Sequence, residues 1–159
     1  MQLTAQPLTA SAFAAFGEVL AAPAQPGRSY FDAALANGRS GAWPSLSIVH
    51  VLPTARLPLS VTQLERHEFS SQSFVPMHAG RWLVIVCPSA ADGGPDAAAA
   101  QAFVARPDQG VTLRRGTWHH GLTVLDQPAS HAIFMWRDAT HTDEEFRQVA
   151  PFSVDIPTS

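Results

Sequence analysis

The chain predicts a mostly β fold, an antiparallel sandwich or barrel with short helices near the termini. Three observations lead there. Seven or more short segments alternate in polarity or run apolar. Turn residues separate them at intervals of roughly 8–12 residues, the spacing of all-β domains. Helical patterning is confined to the two ends. With 159 residues and 46% hydrophobic content, a single domain over 1–159 with a sizeable core is expected.

The elements follow in chain order. LTASAFAAFG (8–17) reads as a helix, with Thr9 or Ser11 as cap, Phe13 and Phe16 three apart, and Gly17 as its stop. EVLAA (18–22) reads as a strand, and the proline- and glycine-bearing stretch 23–45 as a loop or edge segment. SLSIVHVL (45–52) and TQLERHEF (62–69) read as strands. RWLVIVCP (81–88) is apolar on both faces, so a central strand is expected. VPMHAGR (75–81) reads as a hairpin turn. A turn-rich connection (91–100) leads to QAFVA (101–105) and GVTLRRG (110–116), with RPDQ as the turn between them. SHAIFMWR (130–137) is a further strand. TDEEFRQV (142–149) reads as a helix capped by Thr142, with acids in its first turn. FSVDI (152–156) reads as a last strand.

Composition excludes several functions. The net charge of −3 and the lack of a basic stripe argue against nucleic acid. All ten positive charges are arginines, so a Schiff-base or phosphate-loop lysine is excluded. The one cysteine, Cys87, lies in an apolar run, which reads as a buried small hydrophobe in a reducing, cytoplasmic setting. MQLTAQPLTA lacks the basic region and apolar core of a secretory leader. No apolar run approaches the roughly 18 residues of a membrane span.

Chemistry concentrates in two segments. ERHEFSSQ (65–72) carries Glu65, His67 and Gln72; RRGTWHHG (114–121) carries His119 and His120. On a strand, residues i and i+2 share a face, so Glu65 and His67 point one way and Leu64 and Arg66 the other. Double-stranded β-helix barrels of the cupin type hold a metal with His-x-His-x4-Glu, then a later Gly-x-x-His. Glu65-x-His67-x4-Gln72 and Gly116-Thr117-Trp118-His119 keep those spacings with changed ligand types. The expected fold is therefore a cupin-like double-stranded β-helix barrel. Its expected metal ligands are Glu65, His67, Gln72 and His119, a set suited to a divalent ion such as nickel, manganese or zinc. The bland alternative is a surface pairing of Glu65 with Arg66 or Arg115, with His67 an ordinary strand residue. Gln72 is the weakest ligand and can instead bind substrate. His119 and His120 would point to opposite faces of one extended strand unless a turn intervenes. His78 can reach the barrel mouth; His50, His131 and His141 read as structural or exposed.

The segments LPLSVTQLERHEFSSQSFVPM (57–77), RWLVIV (81–86), QGVTLRRGTWHHGL (109–122) and PLTASAFAAFGEVL (7–20) resemble the ureidoglycolate lyase family, formerly called ureidoglycolate hydrolases. The motif positions are Glu65, Arg66, His67, Gln72, Phe74, Pro76, Trp118, His119 and His120. The chain departs from the family pattern after Asn37-Gly38, where a polar stretch is missing, and at His78, Gly121 and 135–145. The resemblance implies a cupin-like barrel, a homodimer, and release of urea from (S)-ureidoglycolate to leave glyoxylate in allantoin catabolism. On that reading Glu65, His67 and His119 are the catalytic candidates, and Gln72, His78, Arg115 and His120 the substrate-binding ones. Arg66 would support structure. Two further readings stay open here: another metal-dependent cupin enzyme acting on a small organic acid, and a non-catalytic small-molecule-binding cupin.

Overall fold

The computed structural model describes residues 1–54 and 56–157. Thirteen strands occur among them, in two sheets that face one another as a nearly closed, cupin-like barrel. The chain opens with β1 (Gln2–Thr4) and β2 (Gln6–Pro7), then helix α1 (Ala10–Phe13). β3 (Gly17–Leu20), β4 (Trp43–Val51), β5 (Leu59–His67), β6 (Gln72–His78) and β7 (Trp82–Cys87) follow. After a short 3-10 turn (Ala97–Ala99) come β8 (Gln101–Ala105), β9 (Gly110–Leu113), β10 (Trp118–His119), β11 (Thr123–Val124), β12 (Ala129–Arg137) and β13 (Glu144–Asp155). The first sheet runs β1-β13-β5-β10-β7-β8-β2, with β11 beside β7; the second runs β3-β9-β6-β12-β4.

β7 shows why the barrel assembles. All six of its residues are buried. Trp82, Val84 and Val86 join Phe74, Val111, Leu113, Phe13 and Phe103 in the core between the sheets. Leu83, Ile85 and Cys87 join Val61, Leu64, Trp118 and Val154 on the outer side of the first sheet. A strand with apolar side chains on both faces is stable only with cover on both, so β7 sits mid-sheet, as its sequence predicts. Each large core side chain contributes roughly 1.5–3 kcal/mol.

Four sequence expectations change. The N-terminal helix is a single turn, capped by the Thr9 side chain, which accepts from the Ala12 N–H at 3.2 Å. Gly17 does not stop it by a left-handed turn; it opens β3, where a Cβ would collide with the Thr112 carbonyl. Residues 75–78, read as a turn, are the end of β6, which pairs with both β9 and β12. The segment 142–149 is not a helix. Residues 144–148 pair with 63–67 of β5, and the pairing resumes at Phe152 after a register break containing Pro151. Its helix signals were local capping residues, and sheet pairing outweighs such weak propensities. No helix among the described residues is long and apolar enough to cross a membrane.

Candidate active site

Alternation along β5 places the site. Leu64 belongs to the outer cluster and Arg66 lies over the outer-cluster Trp118, so Glu65 and His67 face the lumen. β10 carries His119 directly between Glu65 on one neighbour and Val86 on the other. Val86 is a lumen residue, so His119 points inward beside Glu65, while Trp118 points out. A polar corner thus continues the apolar lumen wall formed by β7.

The distances are short. Glu65 Oε1 lies 3.3 Å from His119 Nε2, and the His67 and His119 rings are 5.8 Å apart between centroids. His119 Nδ1 donates to the Thr117 carbonyl at 2.9 Å, since a carbonyl can only accept. That leaves Nε2 facing a Glu65 carboxylate oxygen, in close approach rather than in an aligned hydrogen bond. Among the expected site residues, three buried atoms have no hydrogen-bond partner: His67 Nδ1, Gln72 Oε1 and His119 Nε2.

Gln72 opens β6 on the opposite sheet, beside Leu113 and Met135. Residues 68–71 carry the chain across, so Gln72 faces the lumen from the other wall; its amide N–H₂ lies 3.9 Å from the Met135 sulfur. His120 leaves the strand at a turn in which its Nδ1 meets the Gly121 carbonyl at 3.0 Å and the Thr123 hydroxyl at 3.1 Å. The turn lets both adjacent histidines serve one region. His120 and Glu65 line a cleft of about 390 Å³ together with Leu122 and Phe146. A larger cleft of about 490 Å³ lies by Asp92, Pro95 and Arg147; no histidine lines it.

Electrostatics sort these groups. Burial pushes the Glu65 carboxyl up, but His119, with His67 and His120, outweighs it and holds the group below the usual carboxylate range. Burial lowers His67, and the neighbouring His119 lowers it further against the pull of Glu65, Asp143 and Glu144. Burial likewise lowers His120, opposed by the Gly121 carbonyl and Glu65. At neutral pH an ionised Glu65 therefore stands beside neutral His67 and His120.

Two expected substrate residues lie elsewhere. Arg115 is exposed, donates its Nε to the Glu68 carbonyl at 3.1 Å and covers Gly38. His78 is exposed at the far end of β6, opposite Ser130. That end adjoins Trp82, whereas His119 pairs with Val86, about 13 Å further along β7 at strand rise. Arg66 is held outside by Glu145 at 2.7 Å and stacks over Trp118 at 4.6 Å. Burial pushes the Cys87 thiol up to about 12, consistent with an inert core residue.

The sequence reading missed Asp143 and Arg39. Asp143 is 5% exposed, accepts the Phe69 N–H at 2.6 Å, and stands 3.4 Å from Arg39 and 4.0 Å from His67 Nδ1. Arg39 is held by Asp138 at 2.6 Å and by the Trp136 carbonyl at 3.2 Å. These contacts join residues about a hundred positions apart, so no local spacing signals them.

The family model described as ureidoglycolate lyase matches residues 1–155. A ureidoglycolate lyase of Rhizobium etli (strain CIAT 652) is 38% identical over 99% of this chain and 98% of its own length. One from Chelativorans sp. is 33% identical over 98% of each, and one from Mesorhizobium japonicum is 34% identical over 98% and 99%. Among solved structures, a dTDP sugar isomerase of Desulfovibrio desulfuricans aligns at TM-score 0.48 and 16% identity, covering 85% of this chain and 82% of its own. An oxalate decarboxylase of Lactobacillus farciminis aligns at 0.43 and 16%, covering 81% and 30%.

Proposed function

The chain belongs to the ureidoglycolate lyase family, and from that premise we propose how its residues carry the reaction. The function is cleavage of (S)-ureidoglycolate to glyoxylate and urea. The central carbon of the substrate bears a hydroxyl, a carboxylate and a urea nitrogen. One base removes the hydroxyl proton, the oxygen's electron pair forms the aldehyde, and the carbon–nitrogen pair leaves on urea, which takes a proton from an acid. No water is consumed and no covalent intermediate is needed.

The observation that carries the assignment is the Glu65–His119 contact at 3.3 Å with His67 alongside. His67, kept neutral by burial, serves as the base toward the hydroxyl. The Glu65–His119 pair delivers a proton to the leaving urea nitrogen while His67 keeps the one taken from the hydroxyl. Gln72 and His120 bind and orient the substrate from the lumen and the cleft. The cleft volume of about 390 Å³ lies within the range of small-molecule sites.

A divalent metal fits the donor types present. The His119 Nε2 and the Gln72 amide oxygen are buried without hydrogen-bond partners, and the Glu65 carboxylate lies beside the former. The fit is of chemistry and not of preformed geometry: among the described residues no three His, Cys, Asp or Glu side chains are gathered as ligands. Glu65, His67, Gln72 and His119 would hold such an ion, which when bound supplies polarisation of the substrate hydroxyl.

The reading extends to the whole chain, 1–159, as one domain working as a cytoplasmic homodimer in allantoin catabolism. The outer face of the second sheet supports the dimer, since Leu46, Ile48, Val75 and Met77 stand exposed there. A Leu46→Glu variant should then run as a monomer in light scattering, where the parent runs as a dimer. The activity itself is tested by following glyoxylate and urea released from racemic ureidoglycolate, with and without a chelator. Equimolar products from about half the racemate are expected; absence of both under either condition overturns the assignment.

A further inference from the structure

The geometry points to Asp143 as a positioning residue for His67, holding that imidazole as the Nδ1–H tautomer and leaving Nε2 as the free lone pair. The inference rests on the site reading given under Proposed function. His67 Nδ1 is buried and has no partner at hydrogen-bond distance. The carboxylate oxygen paired with it is the Asp143 Oδ2, 4.0 Å away. That separation is longer than a hydrogen bond, and catalytic contacts of this kind tighten when a site is occupied.

Asp143 is built to hold its place. Its side chain is 5% exposed, and its other oxygen accepts the Phe69 N–H at 2.6 Å, tying it to the chain just after β5. Arg39 stands 3.4 Å away and pairs with the carboxylate. Arg39 is itself fixed. Asn37 brackets its backbone with two hydrogen bonds of 2.9 and 3.0 Å, and Asp138 and the Trp136 carbonyl hold its guanidinium. The loop 37–39 and the start of β13 thus meet behind His67.

The neighbouring histidine is held by backbone instead. His119 Nδ1–H donates to the Thr117 carbonyl at 2.9 Å, which turns its Nε2 toward Glu65. A carbonyl thus stands behind one imidazole and a carboxylate behind the other. An imidazole that can exchange tautomers presents the wrong nitrogen for part of the time, which lowers turnover without weakening substrate binding.

The test uses the full chain labelled with ¹⁵N-histidine, read by long-range proton–nitrogen correlation at neutral pH, with His67 assigned from a His67→Asn variant. The expected parent spectrum shows a protonated, pyrrole-type Nδ1 and a pyridine-type Nε2 for His67. In Asp143→Asn the new amide donates to Nδ1, so the proton moves to Nε2 for His67 while His119 is unchanged. In the same variant kcat for ureidoglycolate falls about ten- to a hundredfold, the size seen for groups behind a functional imidazole, while KM changes less than about threefold. A parent His67 already protonated on Nε2 overturns the inference and needs no variant. So does an Asp143→Asn protein that folds and keeps both tautomer and kcat. If the parent lacks ureidoglycolate turnover but shows the expected tautomers, the positioning role stands and the substrate assignment falls.

Discussion

Single side chains decide the chemistry. His119 is the one imidazole paired with Glu65, so His119→Ala should reduce urea release by roughly a hundredfold or more, the contribution of a general acid or base. Circular dichroism should show the fold retained. His131 makes a different prediction. It is fully buried against Trp82, at 5.1 Å between rings, and neither of its nitrogens has a partner. Burial lowers its proton affinity in the folded chain. Below the ordinary imidazole value of about 6.5, the unfolded chain therefore binds a proton that the folded chain refuses. Stability falls as pH drops through that value and is insensitive to this group above it. His131→Phe should flatten the loss of melting temperature between pH 7 and 5. An unchanged acid slope would remove His131 from the effect.

Strand alternation separates neighbours in sequence into different roles at the scale of the element. Arg66 sits between Glu65 and His67 but lies on the outer face over Trp118. Arg66→Met should keep kcat within about threefold and cost on the order of 1 kcal/mol of stability, the value of a partly shielded cation–π contact. A collapse of kcat comparable to that of His67→Ala would show that the two faces are not separated. Gly17 tests the pairing of β3 with β9. Because a Cβ there meets the Thr112 carbonyl, Gly17→Ala should lower unfolding free energy by about 1–3 kcal/mol, the usual cost of overpacking, measurable in urea. Most strands were legible from alternation and apolar runs: β5, β7, β8 and β12 lie where their patterns put them. β6 was partly lost because Pro76 and Gly80 imitate turn signals. β13 was lost because Thr142 and the acids after it imitate a helix start.

The whole molecule brings the parts of the candidate site together from three strands, with Glu65 and His67 on β5, Gln72 on β6, and His119 on β10 in contact with Glu65. If a divalent ion uses these donors, it stabilises the folded state by mass action, about 2.7 kcal/mol at a hundredfold excess over its dissociation constant. Titration with Ni²⁺, Mn²⁺ or Zn²⁺ should raise the melting temperature of the parent and not that of a His67→Ala, His119→Ala double variant. An equal rise in both would place the ion elsewhere.

By itself the sequence determined the β architecture, the central place of β7, the inward face shared by Glu65 and His67, and the family. Each of these follows from the two-residue period of a strand or from contiguous motifs. Only the tertiary structure decided that Arg115 and His78 lie away from the cleft, that a turn lets His120 join it, and that Asp143 and Arg39 stand behind His67. Apart from the local turn at His120, those outcomes depend on contacts between residues tens to about a hundred positions apart. Chain closure over such separations leaves no periodic trace in the residues it joins.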